Sequence, residues 1–140
     1  MQKNNSHFGF TLLEIILSIT LFFVASSIFI ANINFTTYLS KNEIETFISN
    51  IELVKTANAS GDKSAKIIIK PEQNYYELLT KSTKTIFNFT NVKITGWTLD
   101  EIRFYEDSWT NGNTIDLVTD TKKYTLTIAA ITGRVKVVEV

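Results

Sequence analysis

The sequence predicts an α+β protein. A long N-terminal helix, made of a transmembrane half and an amphipathic half, packs on a C-terminal antiparallel β-sheet domain. Three observations carry this reading. No charged residue occurs between Ile15 and Ser40. Apolar residues then recur at three- and four-residue spacing from Ile44 to Val54, the period of a helix face. Beyond Gly61 the period switches to two, in short runs rich in β-branched and aromatic residues. With 140 residues, the chain has room for one small domain and an appendage.

Residues 1–9 form a polar leader, MQKNNSHFG, and residues 10–33 a transmembrane segment. Its central part, IILSITLFFVASSIFIANI, meets the length of about 20 apolar residues that a spanning helix needs. It exceeds the roughly 7–15 residues of a secretory apolar core, and the A-x-A-like candidate Ala25-Ser26-Ser27 lies in the middle of the run, followed by more Ile and Phe. Glu14 stands at its start. A charge at the centre of a membrane helix costs about 2.5–3.5 kcal/mol on insertion scales, less near the interface, so such residues tend to be paired and functional. A cut between Gly9 and Phe10 would free an α-amino group one turn from Glu14. That amine could meet the Glu14 of its own chain or of a neighbouring one.

Gly9-Phe10-Thr11-Leu12-Leu13-Glu14, followed directly by the apolar run, resembles the signal of type IV pilins and pseudopilins. The resemblance implies that a prepilin peptidase cuts after Gly9 on the cytoplasmic face. It also implies that the new terminal Phe10 is N-methylated and that Glu14 serves assembly. The leader departs from the family in one respect: His7-Phe8 precedes Gly9 where a basic residue is common. Lys3 and the starting amine remain as the positive flank that keeps the N-terminus inside.

Residues 34–61 read as the amphipathic half. Ile44, Phe47, Ile48, Ile51, Leu53 and Val54 supply the apolar face, and Gly61 is the stop. Without Pro or Gly from Phe10 to Ser60, one continuous helix of about 51 residues would be about 75 Å long. Many pilins carry a kinking Pro where this chain has Ala31, which implies a straighter helix.

Residues 62–140 form the β-rich head. Eight runs read as strands: Ala65–Lys70, Asn74–Lys81, Lys84–Thr90, Val92–Thr95, Glu101–Glu106, Asn113–Thr119, Lys122–Ala129 and Gly133–Val140. The separators include Ser60-Gly61-Asp62, Lys70-Pro71-Glu72, Thr95-Gly96, Asn111-Gly112-Asn113 and Thr132-Gly133, the last read as a two-residue hairpin turn. Residues 102–140, with their closing Thr132-Gly133-Arg134-Val135, are similar to the carboxyl end of minor pseudopilins of the GspH/FimT type and competence pilins of the ComGD type.

Composition narrows the chemistry. Fourteen Lys and Arg balance fourteen Asp and Glu, so no polyanionic partner is implied by net charge. There is no Cys, and the one His lies in the leader, which removes the usual carriers of nucleophilic, general-base and zinc chemistry. Acids cluster at Asp100-Glu101, Glu106-Asp107 and Asp116 to Asp120, where a carboxylate enzyme or a bound cation is the sharp reading and solvated turn acids the bland one. Lys122, Lys123, Arg134 and Lys136 fall on one hairpin with Tyr124. They read as a DNA-binding patch or as outward charges that blunt edge strands. Trp97 and Trp109 read as core or subunit-packing residues.

The resemblance implies a minor pilin or pseudopilin that initiates or caps a type II secretion, type IV pilus or competence (DNA-uptake) filament. Its partners would be other pilin subunits, the prepilin peptidase and the cytoplasmic membrane. DNA is a further partner, and neither a cofactor nor a small-molecule substrate is expected. The alternative is a membrane-anchored extracytoplasmic binding domain that does not polymerise.

Overall fold

The computed structural model describes residues 11–31, 35–105 and 109–140. The chain divides into two compact units, Met1–Asn34 and Phe35–Val140. The first contains helix α1, Leu12–Ala31. The expected continuation into the next helix, and a straight course past Ala31, fall on residues 32–34 and lie outside the described residues.

The second unit begins with helix α2, Phe35–Ala59. Ile44, Phe47, Ile51 and Val54 are buried along one face, as the period predicts, and Ile48 packs partly against them. Leu53 departs from the reading. Consecutive with Val54, it is turned about 100° around the axis and is exposed. Gly61 ends the helix at φ 97°. Its N–H donates to the Asn58 carbonyl at 3.0 Å and the Asp62 N–H to the Ala57 carbonyl at 2.9 Å, the paired bonds of a Schellman stop.

Eight strands follow: β1 Lys66–Lys70, β2 Tyr75–Leu79, β3 Lys84–Asn88, β4 Lys93–Trp97, β5 Glu101–Ile102, β6 Asn113–Val118, β7 Lys123–Ile128 and β8 Val135–Glu139. Each falls within or against one of the predicted runs. They build two four-stranded antiparallel sheets, ordered β3-β2-β1-β5 and β4-β6-β7-β8. Period-two patterning marks strands without naming their neighbours, so this division was not visible in the sequence.

Three local readings are corrected. Thr95-Gly96 is not a separator. It lies inside β4 at a register shift, where a Cβ on Gly96 would come within 3.2 Å of an Asp116 carboxylate oxygen. Thr132-Gly133 is not a two-residue turn. The β7–β8 connection closes with the Ala129 N–H on the Arg134 carbonyl, leaving residues 130–133 in the turn and Gly133 at φ 57°. Among the described residues of the Glu101–Glu106 run, the extended parts are β5 and a bridge between Phe104 and Thr110; Glu106 lies outside them.

One core unites α2 and both sheets: Phe47 and Ile51 pack with Ile67, Ile69 and Tyr76 of the first sheet and with Ile115, Leu117 and Leu126 of the second. Its centre is aromatic. The Phe47 ring lies 4.6 Å from Tyr76 and 5.6 Å, edge-on, from Phe89. Burial pushes the Tyr76 hydroxyl up to about 12 against the opposing hydrogen bond from Asn50, whose amide donates to it at 2.8 Å.

The joints between elements are made by side chains bonding to distant backbone. Asn74 closes the Pro71–Gln73 turn at φ 55°. Its amide donates to the carbonyls of Phe89 at 2.9 Å and Val92 at 2.8 Å, and its Oδ1 accepts the Ile94 N–H at 3.0 Å. Buried Asn113 holds the β4–β5 loop through Thr98 N–H, Leu99 N–H and the Leu99 carbonyl. Glu43 of α2 accepts the N–H groups of Thr90 and Asn91 at 3.1 Å.

Replacing Asn74 separates its two functions. Asn74→Gly keeps access to positive φ and loses the three bonds, so it should cost about 2–3 kcal/mol. Asn74→Ala should cost about 1 kcal/mol more for the left-handed backbone. Urea unfolding of residues 35–140, which should fold as a monomer, measures both; equal stability of the two variants would remove the backbone part of this account.

Candidate functional site

Helix α1 starts with a reciprocal cap. Thr11 precedes the first helical residue, and Glu14 stands three residues after Thr11. The Thr11 N–H donates to Glu14 Oε2 at 2.8 Å and the Glu14 N–H donates to Thr11 Oγ1 at 3.3 Å. This is a capping box, Thr-x-x-Glu ahead of an apolar run, which satisfies two backbone donors that a helix start leaves orphaned. The carboxylate also sits at the positive end of the helix dipole. Among the described residues, the hydrogen bonds to this carboxylate go to Oε2. The Thr-x-x-Glu spacing of Thr11 and Glu14 is the sequence signal for this cap, beside the charge that marks Glu14 in an apolar run.

The rest of α1 suits a medium without water. Three of its four hydroxyls, Ser18 being the fourth, bond back to carbonyls four residues earlier: Thr20 to Ile16 at 2.8 Å, Ser26 to Phe22 at 2.7 Å and Ser27 to Phe23 at 2.8 Å. Polar groups in hydrocarbon must be satisfied within their own helix or by a neighbour. Leu12–Ile30 is long and apolar enough to cross a membrane, and none of it is buried within the chain. Of the three residues assigned to processing and assembly, Glu14 is placed on the first turn; Gly9 and Phe10 lie outside the described residues.

On the head, the hairpin cations are not a free basic patch. Lys122 Nζ lies 2.6 Å from Glu139 and Lys123 Nζ 3.2 Å from Asp116. Tyr124 faces inward against the core, and Arg134 and Lys136 remain exposed. Asp116 is not a turn acid. It lies within β6, where its Oδ1 accepts the Thr125 hydroxyl at 2.8 Å. Among the described residues no three acids or histidines converge as a metal site would require; Glu106 and Asp107 lie outside them.

The tryptophans contradict the core reading, since Trp97 is 44% and Trp109 45% exposed. The Trp97 indole N–H donates to Asp100 at 2.8 Å. Trp109 stacks on Tyr105 at 4.3 Å between centroids, 18° from parallel. Trp97 ends β4 and Trp109 adjoins the Phe104–Thr110 bridge, and each finds a polar or aromatic partner at the surface, a choice that alternation does not reveal.

Compared with known proteins, the chain matches no family model, no curated protein and no solved structure.

Two carboxyls tie the head to acid conditions. Hydrogen bonds from the Ser64 hydroxyl and the Lys81 N–H hold Asp62 below the usual carboxylate range; the Thr125 hydroxyl and then Lys123 do the same for Asp116. A lowered folded value stabilises above the ordinary value of about 3.9, and that contribution is lost as pH falls through the folded value. Lys122 works in the opposite sense: Glu139 raises it, so its contribution is complete below the ordinary lysine value and lost as pH rises through the folded one. Asp62→Asn and Asp116→Asn should therefore narrow the stability difference between about pH 7 and about pH 3. Urea midpoints at the two pH values measure it, and an unchanged difference would mean that these bonds do not persist in solution.

Proposed function

We propose that this chain is a minor pilin or pseudopilin, a structural subunit that initiates or caps a secretion, pilus or DNA-uptake filament. Its N-terminus would lie on the cytoplasmic side of the membrane and its β-rich head outside. The observation that carries the reading is Gly9-Phe10-Thr11-Leu12-Leu13-Glu14 placed directly at the start of a membrane-length apolar helix. Cutting after Gly9 would leave the Phe10 amine beside the first turn. The Glu14 carboxylate can cap its own helix through Oε2 and still offer Oε1 to an amine of a neighbouring subunit. In lipid, leaving that amine unpaired costs a few kcal/mol, so the pair sets the register between subunits.

The capping box also favours a second reading. A plain membrane-anchored domain would keep Thr11 and Glu14 for the helix start alone, with no polymer to build. Charge separates the two, because Gln caps as Glu does but cannot pair an amine ionically.

Coexpressed with a prepilin peptidase, the chain should begin at Phe10 by intact mass; a mature start at Met1 or beyond Ala25 would sink the filament reading. Glu14→Ala should insert and be cut as before, yet fail to crosslink with filament subunits and lose secretion or transformation. Glu14→Gln should lose part of that assembly. If Glu14→Gln assembles as wild type does while Glu14→Ala does not, the cap is the whole role of the residue. Assembly by both variants would return the chain to the plain anchor.

A further inference from the structure

We infer that the head carries a binding groove for a neutral oligosaccharide, between the Pro71–Gln73 turn and the end of β4. The pocket there is about 550 Å³. Its lining includes the rings of Pro71, Tyr75 and Trp97 and the polar side chains of Glu72, Gln73 and Asp100. A volume of this order, with mixed ring surfaces and a few convergent polar groups, is the usual form of a small-ligand site.

The state of Trp97 decides which class of ligand fits. Its N–H is already donated to Asp100, so the indole presents its face and no donor. A half-exposed ring fixed at its edge is a platform for weakly positive C–H groups, which meet the negative face of the π-system. The sugar ring supplies such a C–H face. Around the platform, Glu72 and Asp100 accept hydroxyl hydrogens, Gln73 both donates and accepts, and the Tyr75 hydroxyl does the same. Among the described residues, the side chains of Glu72 and Gln73 make no bond within the chain, so their hydrogen-bonding capacity is open.

The same details weigh against other occupants. The Trp97 N–H, the ring donor that the carbonyls of a proline-rich extended helix would use, is already taken, although Gln73 and Tyr75 still donate. An anionic polymer would meet two carboxylates, Glu72 and Asp100, against the one amine of Lys70. The groove is also preformed. Asn74, at the end of the turn, binds the Ile94 N–H of β4 and so holds the Pro71 wall beside the Trp97 wall. Preorganisation of this kind spares the ligand the entropy of ordering its site.

Calorimetry on the full chain, in a detergent without a sugar headgroup, tests the assignment. Cellotetraose, chitotetraose and maltotetraose are the probes. At least one should bind saturably; Trp97→Ala should weaken it roughly tenfold or more, and Trp109→Phe should leave it unchanged. Glu72→Ala, on an exposed turn, should also weaken binding and answers the case in which Trp97→Ala disturbs the fold. The assignment is overturned if none of the three sugars binds, or if Trp97→Ala and Glu72→Ala bind as wild type does. It is equally overturned if a proline-rich peptide or a heparin tetrasaccharide takes the site through Trp97 instead.

Discussion

Two sheets that share one core must be tied to each other, and in this head Asn74 supplies a tie. Its backbone belongs to the β1–β2 connection of the first sheet, while its amide binds Phe89, Val92 and Ile94 at the entry to the second. The residue must also take positive φ, which Asn tolerates better than most side chains because it can hydrogen-bond locally. Conformation and bonding therefore select the same residue type. Elsewhere the same device recurs with Asn113 and Asn58, whose amides satisfy loop carbonyls that no strand reaches. An Asn amide carries both donor and acceptor on a short stem, so it can stand in for a missing stretch of ladder.

This explains what was legible in the sequence and what was not. Strands β1 to β8 follow from alternation, and the buried face of α2 from its three- and four-residue spacing, because both are local consequences of where side chains point. Gly61 was legible because a helix stop is local too. The division into two sheets was not, since nothing in KIIIK says that its neighbours are β2 and β5. Nor were the Asn74 and Glu43 bonds, which join residues 20 and 48 positions apart. Leu53 and the core half of the tryptophan reading fail for a related reason: hydrophobicity alone does not say which side of an element a residue takes, and large apolar residues are often left partly in water, as subunit packing would also have it.

Glu14 was the reverse case, a local feature overlooked in favour of a long-range one. An acid at the mouth of an apolar helix invites an explanation by pairing, because charge in hydrocarbon is costly. Yet the first turn of any helix has orphan donors, and in lipid these are costly as well. Thr11 and Glu14 settle two of them at once. The cap lowers the cost of placing the carboxylate there before any neighbour arrives. It also orients the group, with Oε2 held against the helix start.

The charges of the head bear on which partners are open to it. Affinity for nucleic acid comes largely from releasing the counterions condensed on phosphates as Lys and Arg replace them. A lysine already matched by a carboxylate must first give up that partner, so its net contribution falls. Lys122 is matched by Glu139 and Lys123 by Asp116. Of the four hairpin cations, Arg134 and Lys136 then carry any phosphate contact, and they stand on or just before β8 at the edge of its sheet. Two contacts correspond to a salt slope of only about −1.8 on duplex DNA. Two such contacts would hold DNA weakly, and several copies side by side would be needed to hold it well.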